Sequence, residues 1–327
     1  VNLLDTLYNP SAVLPPEGSG FEQLLNAIKY HEASSQMYIL LARFSKLHQT
    51  PEYFQEQLKL GFDEIFYKNL FIHSQTNKIL KEFEKWGIDV IPLKGTYYSK
   101  DYYGHIGARP TSDIDLLIKE KDITLAIEAV QSLGFINRKL EDDSHFHRSY
   151  YQDIPGSAIP LCVEIHWGIL MENTASLRIE KFWENAAAVD TFQHVKALSP
   201  FYTFYMICLH GWRHNLDSLK YYMDIIQLIL VLKEELDYVE LLEEARKDRT
   251  LKRIVRTLSL VYEALPYLHE IKEFPYKKQV RFRNQIVSKI TKPTLKDYLD
   301  YVDYQFFSFD TARHSFLEVK NWLKSLG

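Results

Sequence analysis

The spacing of apolar residues changes twice along the chain, and those changes constrain the fold more than any other feature. Up to residue 87, apolar side chains recur at three- and four-residue steps, as in Phe62, Phe66 and Leu70, then Leu80 and Phe83. That step buries one face of a helix. From 88 to 198 the pattern breaks into short runs, IDVIPL at 88–93 and IDLLI at 114–118, with further strand-like stretches at 146–152 and 161–167. From 199 the helical step returns in Leu219, Tyr222, Met223, Ile226 and Leu230. The expected fold class is α+β: a helix-supported mixed β-sheet core at 88–198, flanked by N-terminal (1–87) and C-terminal (199–327) helical regions.

Local signals punctuate this frame. Pro51 suits the first turn of a long helix with Thr50 as its cap, and Gly87 suits its end. Gly95 is expected to open a short aromatic helix through Tyr103. Asp122 is expected to cap a helix carrying Ile123, Ala126, Ile127, Val130 and Leu133, closed by Gly134. Ser199-Pro200 reads as a further helix start, and Asp237 with Glu240 as a capping box. Residues 10–20, rich in Pro and Gly, are expected to be an irregular arm.

Composition narrows the function classes. Lys+Arg 39 against Asp+Glu 43 leaves a net charge of −4, so no basic field points to long nucleic acid or an anionic membrane. Two cysteines, Cys162 and Cys208, build no disulfide framework and no zinc C-x-x-C pair, and a reducing, cytoplasmic setting is expected. No apolar window approaches the roughly 18 residues of a spanning helix, and the first residues, VNLLD, do not read as a secretory signal. Rossmann, Walker and Gly-x-Ser-x-Gly signatures are missing, which disfavours dehydrogenases, P-loop NTPases and serine hydrolases.

The chemistry concentrates in Leu93-Lys94-Gly95 and in the stretch from Arg109 to Ile118. On a strand, Asp113 and Asp115 project to one face while Ile114 and Leu116 point into the core. Two carboxylates one pleat apart converge on a hard cation such as Mg2+. Glu164, in Cys162-Val163-Glu164-Ile165-His166-Trp167, supplies a third acid from another alternating strand, on the same face as His166. Acids set among Ile, Leu and Val are costly unless paired or metal-bound.

This ordered set resembles the DNA-polymerase-β-type nucleotidyltransferase superfamily, whose core runs from a glycine turn and helix to an Asp-x-Asp strand and a later acidic strand. More closely it resembles a poorly characterised bacterial nucleotidyltransferase family, through Leu93-Lys94-Gly95, Arg109, Asp113-Ile114-Asp115-Leu116, Glu164-Ile165-His166-Trp167, His210 and Asp224. The resemblance spans roughly residues 75 to 235. It implies metal-dependent transfer of a nucleoside monophosphate from an NTP, ATP foremost, to a small-molecule or protein acceptor, with release of pyrophosphate. It further implies two ions, Mg2+ or Mn2+, held by Asp113, Asp115 and Glu164. Lys94, Gly95, Thr96, Arg109 and Ser112 would form the phosphate side, and His166, His210 and Asp224 would support the site. One departure stands out: where the superfamily usually has Gly-Ser or Gly-Gly in the turn, this chain has Lys94-Gly95, with Thr96 the nearest hydroxyl. The alternatives are a catalytically silent nucleotide-binding or regulatory protein on this fold, and a metal-dependent phosphohydrolase.

Other constellations carry blander readings. Arg109 faces the site or pairs with an acid nearby. His210 and His214, four apart on a helix, lack the glutamate of a zinc-protease motif and are expected to line a helix end or a cleft. Asp224 interrupts an apolar stripe and is expected to find a partner such as His210 or Arg213. His145 and His147 read as a solvated strand face. The tyrosines after the Lys-Gly turn, Tyr97, Tyr98, Tyr102 and Tyr103, read mainly as core.

Overall fold

The structure, a computed structural model, describes residues 3–14, 19–138, 146–171, 173–189, 191–276, 280 and 294–325. The expected α+β class holds: helices dominate, and the chain holds a small mixed sheet. The chain divides into two compact units, 1–168 with 182–199, and 169–181 with 200–327.

In the first unit, helices α1 (Leu3–Tyr8), α2 (Ser19–Tyr30) and α3 (Ser34–Arg43) precede α4 (Glu52–Trp86). The helical pattern between 21 and 49 is thus two helices, broken where Glu32 takes a positive φ of 52°. At about 1.5 Å per residue the 35 residues of α4 run to about 50 Å. Its start corrects one expectation. Pro51 is the cap and Glu52 the first helical residue. The Thr50 hydroxyl donates instead to the carbonyl of Leu47, closing the preceding turn. Gly87 ends α4 in the left-handed conformation, φ 67°, as a glycine stop requires.

Strand β1 (Val90–Pro92) leads through α5 (Thr96–Tyr103) to β2 (Asp113–Ile118). Then follow α6 (Ile123–Ser132), β3 (His147–Gln152) and β4 (Leu161–His166). Asp122 stands at the start of α6 without a side-chain capping bond. His145 lies outside the described residues. The sheet order is β1-β2-β4-β3, with β2 and β4 parallel and both outer pairings antiparallel. Beyond β1, Val90 makes a parallel bridge to Val195, and beyond β3, Ile136 makes an antiparallel bridge to Tyr151. After α7 (Ile179–Glu184) a two-stranded ribbon, β5 (Ala187–Ala188) with β6 (Lys196–Ala197), completes this part.

Parity organises the sheet. Ile114, Leu116 and Ile118 from β2, with Leu161, Val163 and Ile165 from β4, join Ile72, Ile79, Leu80 and Phe83 of α4 and Ala126, Ala129 and Val130 of α6 in one buried cluster. Two helices therefore cover one face. The other face carries the residues of opposite parity, and among them are the acids.

The second unit holds α8 (Pro200–Arg213), α9 (Leu219–Leu232), α10 (Tyr238–Lys247), α11 (Leu251–Ala264), α12 (Leu268–Ile271), α13 (Leu295–Val302) and α14 (Ala312–Ser325). Asp237 caps α10 by accepting from the backbone N–H groups of Val239 and Glu240. Arg256, buried in α11, pairs with Asp300 at 2.6 Å and Asp303 at 2.8 Å. Arg253 is sandwiched between the rings of Trp212 and Phe309, 4.4 and 4.6 Å from their centroids. No helix among the described residues is long and apolar enough to cross a membrane.

Candidate active site

Sheet register assembles the acids. Asp115 pairs with Glu164 across the parallel β2–β4 ladder, and Asp113 pairs with Cys162. The ligand oxygens of Asp113, Asp115 and Glu164 all lie within 4.8 Å of one another. Asp115 is buried, and Asp113 and Glu164 are half-buried.

Lys94 enters from the turn that follows β1. Its Nζ stands 3.1 Å from Asp115 Oδ2 and 3.8 Å from Asp113 Oδ2. The turn is held to the sheet by the Leu93 N–H, which donates to the Asp115 carbonyl at 3.0 Å. Gly95 then adopts φ 82°, ψ −141°, a conformation that a side chain would strain, and α5 starts at the next residue. From the β4 side, the His166 Nε2–H reaches Asp115 Oδ1 at 3.2 Å and Glu164 Oε2 at 3.1 Å.

These contacts split the protonation behaviour of two acids on one strand. Burial opposes ionisation of Asp115, but the Lys94 charge and the His166 hydrogen bond outweigh it and hold its carboxyl far below the usual range. Burial and the Asp115 charge push Asp113 upward, against the pull of Lys94. Burial also opposes the charges on Lys94 and His166, yet their carboxylate neighbours raise both above their ordinary values. Glu164 is half-buried, and although that burial opposes its charge it is drawn down, chiefly by its bond from His166. Burial and the neighbouring carboxylates push the Cys162 thiol up to about 12, which favours its protonated form.

The Asp113 shift has a measurable consequence for the metal-free protein. Its folded pKa lies above its unfolded one, so its ionisation costs stability above the folded pKa, a cost that vanishes below the unfolded value. Asp113→Asn is expected to raise stability at neutral pH by about 0.5–2 kcal/mol, as often happens when a functional strain is removed. The gain should fade in acid. Urea denaturation at pH 7 and pH 4 checks it, and a destabilised variant at pH 7 would contradict the assignment.

The donor set fits a hard divalent cation. All three ligands offer carboxylate oxygen, as Mg2+ and Mn2+ prefer. Asp115 Oδ2 is buried, and its charged neighbour is Lys94, at 3.1 Å. Ionised together, the three acids carry more negative charge than Lys94 alone can balance.

The remaining expected site residues divide into two groups. Thr96 is buried, with Oγ1 3.0 Å from His73 Nδ1. Ser112 donates to Asp113 Oδ1 at 3.1 Å. Arg109 is buried with its guanidinium 5.4 Å from the Tyr98 ring centroid, and its charge opposes that of Lys94. Lys94, Gly95, Thr96, Tyr97, Thr111, Asp113 and Asp115 line a small cleft. His210 and Asp224 belong to the second unit. His210 packs its ring against His214 and Tyr221, and Asp224 is buried in α9. Tyr98 and Tyr103 are core, as expected, and the Tyr97 hydroxyl donates to Asn77.

Two residues escape the sequence reading. His147 is no solvated face: it stacks on His166 with centroids 4.9 Å apart and has Nε2 3.8 Å from Glu164 Oε2. Its parity on β3 was visible, whereas the register that sets it opposite His166 was not. His73, on α4, touches the phosphate-side turn through Thr96, and no local pattern marks it.

No curated protein and no solved structure shows a significant match to the chain. A family model described as an uncharacterised nucleotidyltransferase matches residues 17–266, a span that runs from the N-terminal helices through the whole acidic site and well into the second unit. With that span covering more than half of its length, the chain belongs to this uncharacterised nucleotidyltransferase family.

Proposed function

We propose that the chain transfers a nucleoside monophosphate from an NTP to a hydroxyl-bearing small molecule or protein side chain, releasing pyrophosphate. The observation that carries this reading is the convergence of Asp113, Asp115 and Glu164, from two neighbouring parallel strands, beside a lysine-glycine turn. Asp113, Asp115 and Glu164 would hold Mg2+ or Mn2+. A bound ion of this kind supplies Lewis-acid stabilisation of phosphoryl oxygens and makes an acceptor hydroxyl easier to deprotonate.

The chain's own groups do the positioning. Gly95 and the start of α5 offer backbone N–H groups to a phosphate. Lys94, given a cation to replace it beside Asp115, is free to turn its ammonium toward the leaving pyrophosphate. Arg109, packed on Tyr98 and near enough to oppose the charge of Lys94, would add a second positive charge if it turns toward the site. The acceptor oxygen bonds to the α-phosphorus as the bond from that phosphorus to the bridging oxygen breaks, and pyrophosphate leaves with the electron pair. Glu164, ionised and at the edge of the cluster, is placed to take the acceptor's proton.

One observation favours a second reading. Lys94 already stands among the carboxylates, as a built-in counter-ion would in a silent scaffold. Thermal unfolding tests, without knowledge of the acceptor, whether Lys94 leaves the site open to metal and nucleotide, because a ligand that binds only the folded state stabilises it by mass action, and analysis of the product then separates a transferase from a silent binder. ATP, CTP, GTP and UTP are tested with Mg2+ or Mn2+. At a hundred times its dissociation constant the preferred NTP should add about 2.7 kcal/mol, only when metal is present. No shift with any nucleotide in well-folded protein would leave the scaffold reading in place.

A further inference from the structure

Glu164 faces a second set of donors, all nitrogen. His166 lies two residues along β4 on the same face, and His147 is its register partner on β3. The two imidazoles stack with planes 25° apart. Both aim Nε2 at one oxygen, Glu164 Oε2, from 3.1 Å for His166 and 3.8 Å for His147. One ligand atom from each of the three residues lies within 4.8 Å of the others. The side chains are only 15%, 22% and 6% exposed for His147, Glu164 and His166.

The two contacts differ in kind. The His166 contact is a good one, but 3.8 Å is beyond hydrogen-bond reach for His147. Both distances to Glu164 also suit a metal, which on binding would displace the proton that His166 Nε2 donates to Asp115 and Glu164. Two donors each about 2.1 Å from a tetrahedral ion stand about 3.4 Å apart, a value that the observed separations bracket. Two imidazole nitrogens with one carboxylate form a borderline donor set, suited to first-row transition metals rather than Mg2+, and three protein ligands leave a coordination position open.

We propose that His147, Glu164 and His166 form a site for a first-row transition-metal dication of the Zn2+ or Co2+ type. It shares Glu164 with the oxygen-only site of Asp113 and Asp115, but it stands on its own nitrogen donors and does not depend on the transferase reading.

The test uses the full chain, stripped of metal by a chelator and titrated with Co2+, whose visible absorption reports its ligands. The expected result is a band that saturates at one equivalent, is displaced by Zn2+ and persists in Asp113→Asn/Asp115→Asn. In His147→Gln, binding should weaken by on the order of a hundredfold or more, since loss of even a supporting residue costs up to that much. No band in folded wild type, or unchanged Co2+ affinity in folded His147→Gln, overturns the proposal. A nitrogen NMR titration of histidine-labelled wild type with Zn2+ needs no variant: the Nε2 resonances of His147 and His166 must move together, and unmoved resonances overturn it as well. Nucleotide stabilisation with Mg2+ is scored separately. Its absence beside a His147-dependent Co2+ band sinks only the transferase reading, and the converse sinks only this one.

Discussion

Asp115→Asn is expected to lower nucleotidyl transfer at least about a thousandfold, the scale of losing several kcal/mol of charge stabilisation. The metal-dependent part of NTP stabilisation should vanish with it. Asp115 occupies the centre of the cluster: Lys94 is at 3.1 Å on one oxygen, His166 at 3.2 Å on the other, and Glu164 is its register partner. Asparagine keeps the shape but turns one of these oxygens into an N–H donor, facing either an ammonium or an imidazole N–H. The metal-free fold should weaken too. Asp115 has a folded pKa below its unfolded one, so it contributes stability above the unfolded value that is lost as pH falls through the folded one. The deficit of the variant should therefore be full at pH 7 and shrink in strong acid. Asp113→Asn should behave oppositely at pH 7, and this contrast between neighbours on one strand is the sharper test. Undiminished metal-dependent NTP binding by folded Asp115→Asn would remove the carboxylate assignment.

Lys94→Met is expected to have the largest effect on stability. With the ammonium gone, three clustered acids lose their nearest lysine, and breaking a buried pair from one side costs about 3–5 kcal/mol. The Lys94 pKa is raised on folding, so its contribution is complete below the unfolded lysine value of about 10.4 and is lost as pH climbs through the folded one. The Lys94 contribution should then hold up to about pH 9, a bound fixed by that value, and wild type and variant should converge only in stronger alkali. Millimolar Mg2+ should restore much of the loss, and the variant should bind the ion more tightly than wild type because its resident competitor is gone. Urea unfolding with and without Mg2+ measures both. A variant as stable as wild type without metal would show that the carboxylates are balanced elsewhere.

How far the sequence reaches can be judged from these same residues. Asp113 and Asp115 could be put on one face because strand parity is a property of the chain alone, and Glu164 with His166 for the same reason. The opposition of Asp115 to Glu164 depends on parallel pairing across a connection of more than forty residues, part of which lies outside the described residues, and no local pattern encodes it. His147 was misread on that account. Thr50 was misplaced because a threonine before proline can either cap the coming helix or close the preceding turn, and the geometry of 47–50 decides for the turn. The short helix α1 and the two-residue strands β5 and β6 are too brief for either period to register. Lys94 was legible as a charge for phosphate, but its place among the acids became visible only with the turn that presents it.

The small bridges at the sheet's margins bear on a different problem, self-association. A four-stranded mixed sheet has two margins where another chain's strand can add, and such margins seed aggregation when left open. Here Val90 already donates to the His194 carbonyl, and Tyr151 exchanges both backbone bonds with Ile136. An incoming strand would meet the chain's own backbone at those two residues. The acidic face thus sits on a sheet each of whose margins is met at one point by the chain's own backbone, at Val90 and at Tyr151.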